Sequence, residues 1–253
     1  MKLISLNTWG GRAGKENLLE FFKAYKDVDI FCLQEIWAAP YENLEYDSVS
    51  GFSIDDDYAK FYIQEVVDLI TTHTAYFRPQ YSDYWGLMIL IKKDINVISE
   101  GELFVHKEKD YIPEGDIGLH SRNIQFATIA TPNGHRSIIN FHGLWNGKGK
   151  GDSEDRLLQS DKIIEFIQTL ANPYIIAGDF NLLPDTQSIK KFEDLGLNNL
   201  IKEYNITSTR TSFYTKPEKF ADYVFTDKDI TIKDFKVLPD EVSDHSALYL
   251  EFE

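Results

Sequence analysis

The sequence predicts a mixed α/β (α+β) protein in which two β-sheets pack face to face with helices outside. Three observations predict it. Strand-like runs recur from one end of the chain to the other. Several are continuously apolar, as strands covered on both faces are. Helical patterns sit between only some of them, too few for a helix after every strand, which argues against a (β/α)8 barrel.

In chain order the expected strands cover 3–6, 28–33, 75–78, 87–91, 124–130, 137–141, 174–177, 223–225, 230–237 and 247–252. Leu18, Phe21, Phe22 and Tyr25 fall at i, i+3, i+4 and i+7, one apolar face of a helix. Ile163, Phe166, Ile167 and Leu170 repeat the pattern. Ala59, Tyr62, Ile63 and Val66 repeat it again after the capping run Asp55-Asp56-Asp57. Residues 38–57 read as a long loop near whatever site exists, since loops of that length are often functional. No repeat, low-complexity segment or linker interrupts the chain, so a single domain over 1–253 is expected.

Composition narrows the function classes. Hydrophobic residues at 43% and charged residues at 26% are ordinary globular usage, which excludes long disorder. No apolar stretch approaches the roughly 20 residues of a membrane helix, and residues 1–7 are too short an apolar run for a signal peptide. The single cysteine, Cys32, leaves no intramolecular disulfide and no thiolate metal cluster, so a reducing, cytoplasmic setting is expected; a monomer is expected as well. Cys32 lies in an apolar run and reads as packing. The net charge of −15 repels a phosphate backbone unless basic groups gather on one face, and no clear basic patch stands out. The short 147–151 run, Gly-Lys-Gly-Lys-Gly, lacks phosphate-loop spacing and reads as a flexible surface turn, with substrate contact by its lysines as the alternative.

The informative pattern is how strands stop. Leu3-Ile4-Ser5-Leu6 ends at Asn7, and Ile30-Phe31-Cys32-Leu33-Gln34 ends at Glu35. Ile138-Ile139-Asn140-Phe141 ends at His142. Tyr174-Ile175-Ile176-Ala177-Gly178 ends at Asp179, with Asn181 two residues on. Asp222 precedes Tyr223-Val224-Phe225, and Ser243-Asp244-His245 precedes the last strand. Strands that share one core can bring such ends to one edge, where α/β proteins tend to place their sites.

Carboxylates (Glu35, Asp179, Asp222, Asp244) and carboxamides (Asn7, Asn181) are hard oxygen donors, suited to Mg2+ or Mn2+ rather than zinc. Gathered carboxylates repel one another without a cation. Such an ion accepts a phosphate oxygen and leaves His142 and His245 free for proton transfer. A metal-dependent phosphoester hydrolase uses the whole set.

Leu6-Asn7-Thr8-Trp9, Leu33-Gln34-Glu35, Gly178-Asp179-Phe180-Asn181, Asp222-Tyr223 and Ser243-Asp244-His245 resemble, in order, the motifs of the endonuclease/exonuclease/phosphatase superfamily. Its members include pancreatic deoxyribonuclease, exonuclease III, abasic-site endonucleases, neutral sphingomyelinases and inositol polyphosphate 5-phosphatases. The resemblance runs from Asn7 to His245 and implies a four-layer α/β sandwich, in agreement with the two-sheet reading.

Residue by residue, the resemblance implies metal binding by Glu35, with Asn7 and Asp244 on the metal side. It implies that Asp179 and Asn181 position the attacking water and the phosphate, and that Asp222 orients His245. His142 and Arg122 match phosphate-binding positions. Within the family either the aspartate or the histidine serves as general base, and one or two metals act; both questions stay open at this point.

Trp9, Trp37 and Trp145 lie two or three residues from Asn7, Glu35 and His142. Residues two apart in an extended chain face the same way, so Trp9 and Trp37 can rim a pocket and stack on a flat group, and Trp145 is expected to bind substrate with them. Each site residue also has an ordinary reading: turn former, solvated strand end, cap, surface charge or packing. Order and combination favour the catalytic one. His73, His106, His120 and His135 have no comparable context and read as structural. The substrate stays open between nucleic acid and a small-molecule or lipid phosphoester. A different class also stands, a catalytically weak relative that binds a phosphorylated ligand or nucleic acid.

Overall fold

The computed structural model describes residues 1–38, 63–81, 83, 85–114 and 117–253. The strands are Lys2–Asn7 (β1), Ile30–Trp37 (β2), His73–Tyr81 (β3), Trp85–Lys92 (β4), Val97–His106 (β5) and Arg122–Thr131 (β6). They continue with Gly134–His142 (β7), Tyr174–Asp179 (β8), Asn198–Asn199 (β9), Asp222–Thr226 (β10), Ile232–Val237 (β11) and Leu248–Phe252 (β12). The helices are Lys15–Ala24 (α1), Ile63–Leu69 (α2), Glu154–Gln168 (α3), Gln187–Asp194 (α4) and Leu200–Glu203 (α5). Every expected strand run overlaps one of these strands.

The strands form two six-stranded sheets, ordered β11-β12-β1-β2-β4-β3 and β5-β6-β7-β8-β10-β9. Each is mixed in the same way: one parallel pair, β1–β2 or β7–β8, lies at the centre with antiparallel neighbours on both sides. Alternation along β1 and β2 sorts the core. Leu3, Ile30 and Cys32 join the residues of the second sheet, whereas Ile4, Leu6, Phe31 and Leu33 pack on Leu18, Phe21 and Phe22 of α1 and Val66 of α2. On the far side of the second sheet, Phe166 of α3 meets Phe126 at 4.9 Å and Phe192 of α4 meets Phe225 at 5.2 Å. The result is the expected two-sheet sandwich with helices outside. Each fully buried side chain of this kind, such as Leu33 or Phe192, stabilises the fold by about 1.5–3 kcal/mol.

The space between the sheets is not wholly apolar. Gln34 Nε2 donates to Asn140 Oδ1 across the gap at 2.7 Å, and Asn140 Nδ2 donates to the Leu33 carbonyl at 2.9 Å. Both side chains are fully buried. Near them Cys32 is buried and unpaired, its thiol pushed up by burial, as a packing residue should be.

Four elements were not expected. β5 alternates poorly because Ser99, Glu100, Gly101 and Glu102 occupy its middle, and it lies at the sheet edge. β9 is two residues long. α4 buries only Ile189 and Phe192 among its apolar residues, and its start is set by the Thr186 cap rather than by periodicity. α5 is a single turn. The expected loop over 38–57, apart from Ala38, and the expected helical positions Ala59 and Tyr62 lie outside the described residues. Among the described residues no helix is long and apolar enough to cross a membrane.

Candidate active site

Register builds the site. Asn140 faces the first sheet, so His142, two residues on, faces the same way at the end of β7. His142 is paired with Asp179 in β8, and Asp179 with Asp222 in β10. Three chemically active side chains are thereby placed abreast on the inner face of the second sheet. From the first sheet Asn7 ends β1 on the same inner face, and its amide Nδ2 bridges the gap, 3.0 Å from Asp179 Oδ2 and 3.0 Å from Glu35 Oε1.

Strict alternation would turn Glu35 away, because its neighbour Gln34 already faces inward. A bulge between Leu33 and Ile36 breaks the alternation, and Glu35 takes the left-handed backbone conformation at φ 57°. Thr8 pins the bulge by donating its hydroxyl toward the Gln34 and Glu35 carbonyls. Trp9 and Asn181 are left-handed as well, at φ 52° and 55°. Such backbone strain in non-glycine residues gathers where side chains must be aimed.

Close approach of the strands does the rest. A Cβ on Gly178 would lie 1.9 Å from the Phe141 carbonyl oxygen, and one on Gly143 2.3 Å from that of Phe180. The Asn181 backbone N–H donates to Asp179 Oδ1 at 2.8 Å, and its amide donates to the Gly143 carbonyl at 3.2 Å.

His245 and Asp222 form a close pair, Nδ1 lying 2.8 Å from Oδ1. The other ring nitrogen points inward, 3.6 Å from Asp179 Oδ2 and 3.6 Å from Asp244 Oδ1. Burial and Arg210 act to lower the His245 pKa, but Asp222, Asp244 and Asp179 together raise it above the ordinary histidine value. His142 goes the other way: burial, helped by Arg122, pushes it down to about 3. Burial acts to raise the Asp179 carboxyl, yet His245, Lys150, His142 and Arg210 outweigh it and hold Asp179 below the usual carboxylate range.

A cavity of about 290 Å³ opens over this group. Of the expected residues, Glu35, Arg122, His142, Asp179, Asn181, Asp244 and His245 line it, as do Trp9, Trp37 and Trp145. Asn7 and Asp222 are buried behind that lining and reach it through Asp179, Glu35 and His245. Trp85 adds a fourth indole, 4.7 Å from Trp37 between ring centres.

Several lining residues were not expected. Arg210 bonds Asp244 at 3.0 Å and stacks on Tyr214 at 4.0 Å. His120, read as structural, also faces the cavity, with its pKa driven well down by burial. Lys150 corrects the surface-turn reading of 147–151, since it is buried to 3% exposure and reaches the cavity. With Arg12, Arg122, Lys150, Arg210 and Lys216, the cavity holds five cationic side chains against the carboxylates of Glu35, Asp179 and Asp244. The sequence-based expectation of no basic patch therefore misses a local one, assembled from distant segments of an acidic chain.

Oxygen donors suited to a divalent cation are present. Asp244 Oδ1 is buried without a hydrogen-bond partner among the described residues. Asp179, Asp222 and His245 each bring a ligand atom within 4.8 Å of the others. The facing atoms of Asp222 and His245 are already spent on each other, which leaves the oxygens of Glu35, Asp179 and Asp244 as the better cation donors. Asn7 Oδ1 accepts from the Trp9 N–H at 2.9 Å, so Asn7 turns its amide N–H, not its side-chain oxygen, toward the carboxylates.

The sequence matches the model of the Endonuclease/Exonuclease/phosphatase family over residues 4–245. No curated protein matches it. Among solved structures it is similar to the mannosyl-6-phosphatase of Bacteroides thetaiotaomicron, with TM-score 0.73 and 17% identity over 100% of this chain and 99% of that one. It is also similar to a humanized D. rerio TDP2, with TM-score 0.71 and 15% identity over 100% and 98%. The human Nocturnin catalytic domain with bound sulfate gives TM-score 0.65 and 17% identity over 100% and 93%.

Proposed function

The chain belongs to the endonuclease/exonuclease/phosphatase family, and from that premise we propose that it is a Mg2+- or Mn2+-dependent phosphoester hydrolase, working as one catalytic domain over 1–253. The observation that carries the reading is the convergence of Glu35, Asp179, His142 and His245 on one cavity, with Asn7 joining the two carboxylates. Glu35 and Asp244 would hold the divalent cation, with Asn7 orienting Glu35. When bound, such an ion neutralises charge on a phosphoryl oxygen.

The chain's own residues divide the remaining work. Asp179, ionised and fixed by Asn7 and Asn181, orients a water in line with the ester bond and accepts its proton as the oxygen attacks phosphorus. The new P–O bond forms as the ester P–O bond breaks, and the leaving alkoxide takes a proton from solvent water to depart as the alcohol. His245, held by Asp222 and favoured in its cationic form, donates Nε2–H to a phosphoryl oxygen. Neutral His142 and cationic Arg122 contact the other oxygens. Asn181 lines the same wall, while Trp9, Trp37 and Trp145 bound the space for the group carried on the phosphate. A reducing, cytoplasmic setting suits the single unpaired cysteine.

The test is a panel of phosphoesters, covering nucleic acids, lipids, inositol phosphates and nucleotides, assayed with Mg2+, Mn2+ and chelator. Turnover should need the metal and collapse in Glu35→Ala and His245→Ala. Undiminished turnover in both variants removes the assignment, and binding without hydrolysis in the unaltered protein favours the weak-relative reading.

A further inference from the structure

Lys150 is built into the cavity. Its own carbonyl accepts from the Leu183 N–H at 2.9 Å. The glycines on either side are held by one buried guanidinium: Arg156 Nη1 donates to the Gly149 carbonyl at 2.9 Å and the Gly151 carbonyl at 2.6 Å. Arg156 is in turn fixed by its Nε bond to the Leu144 carbonyl, at 3.1 Å. A glycine-lysine run that would otherwise be a loose turn thus delivers one ammonium group inward.

That ammonium is unspent. Lys150 Nζ is buried and has no hydrogen-bond partner among the described residues, and the Tyr214 ring lies 5.6 Å away. Arg122 is in a similar state: Nη2 donates to the Gly118 carbonyl, while Nε and Nη1 are buried without acceptors among the described residues. Burying an unpaired cation is costly unless an anion arrives to pair with it. The cost shows at Lys150, where burial pulls the pKa down to about 8 despite the pull of Asp179 the other way.

We propose that Lys150 binds the phosphoryl oxygens of the substrate and, with Arg122, selects the dianion of a terminal phosphate, so that the substrate is a small-molecule phosphomonoester rather than a diester. This rests on the phosphoester-hydrolase reading. A monoester offers three non-ester oxygens and roughly −1.5 to −2 charge at neutral pH. A diester offers two such oxygens and a single charge, which leaves one of the two buried positive charges uncompensated. The excess of cationic over acidic side chains around the cavity favours the more highly charged group. The volume of about 290 Å³, walled by Trp37, Trp85 and Trp145, suits a compact substituent.

The experiment compares the unaltered protein, Lys150→Met and Lys150→Arg. It measures kcat/KM on p-nitrophenyl phosphate and bis(p-nitrophenyl) phosphate, with phosphate binding read by calorimetry. The unaltered protein should prefer the monoester. Lys150→Met should lose about 30-fold or more on the monoester but only about threefold on the diester, and bind phosphate about tenfold more weakly. Lys150→Arg, which keeps the charge, should retain most of the phosphate affinity. A preference for the diester, equal losses on both esters, or phosphate binding as weak in Lys150→Arg as in Lys150→Met would overturn the proposal. If the unaltered protein cleaves neither ester, calorimetry decides the role of Lys150, and the hydrolase reading fails separately only if the wider phosphoester panel is not cleaved either. Weaker phosphate binding in Lys150→Met then supports it; unchanged binding, or none in the unaltered protein, rejects it.

Discussion

His142 stands directly across from Asp179 in the parallel β7–β8 pair, and its Nε2 ends 3.7 Å from Asp179 Oδ2. The two are close enough for an ion pair, yet burial and Arg122 keep His142 neutral, with its pKa near 3. The second imidazole of the cavity, His245, is shifted upward by its carboxylates. Two histidines facing one carboxylate are thus driven to opposite protonation preferences by their surroundings, which is how a single cavity assigns separate proton roles.

The first consequence concerns the His245–Asp222 pair. Asp222→Asn keeps a polar group beside Nδ1 but removes the charge that raises the His245 pKa. Turnover is expected to fall by about 10³-fold or more, with the thermal midpoint little changed. The His245 imidazole should titrate at lower pH in the variant, as read by NMR. An unaltered titration would separate Asp222 from the proton chemistry.

Glu35 faces the cavity only because of the bulge that reverses it. Glu35→Gln preserves shape and removes charge. Mn2+ affinity, measured by calorimetry or by electron paramagnetic resonance, is expected to weaken by about 10-fold or more. Equal affinity in both proteins would move the cation elsewhere.

Acid should destabilise the protein through those buried histidines whose pKa burial lowers, His245 with its raised pKa acting in the opposite sense. His73 is an example away from the site: burial lowers its pKa, Nε2 donates to the Val28 carbonyl at 2.8 Å, and Nδ1 lies 3.0 Å from the Thr72 hydroxyl. The unfolded chain takes up protons below about pH 6.5 that the folded ring resists. The stabilisation is therefore whole above that pH and is lost as pH falls toward the lowered folded value. The urea midpoint should be lower at about pH 5 than at about pH 7.5, and the gap should narrow in His73→Gln. A gap of the same size in the variant would exclude His73 as a contributor.

Gly178→Ala tests the close strand approach behind Asp179. The added methyl would meet the Phe141 carbonyl oxygen at 1.9 Å, at a φ of 151° that side chains avoid. A loss of about 3 kcal/mol or more in urea unfolding is expected. A loss under about 1 kcal/mol would mean that the β7–β8 pair yields easily at this point.

The strands and most of the lining were legible because a continuous apolar run that stops at Asn, Glu, Asp or His leaves a strong signal in the chain. Lys150 and Arg210 were not, for a definite reason. A lysine between glycines has the composition of a surface turn, and only the distant Arg156 guanidinium makes it otherwise. Arg210 sits in an irregular segment whose one regular contact is an isolated bridge to His245. Trp85 carries no motif signal of its own, since its place beside Trp37 depends on the β2–β4 register. Asn7 was identified, but its oxygen is committed to Trp9, so which end of the amide faces the carboxylates could not be read from residue type.

The amide bridge from Gln34 to Asn140 has a mechanical consequence. Two greasy faces can glide over each other at little cost, because apolar contact has no preferred direction. A carboxamide bond is directional, and this one ties β2 to β7 one residue before Glu35 and two before His142. It works as a dowel between the two plates of the molecule, keeping each half of the catalytic assembly aligned with the other.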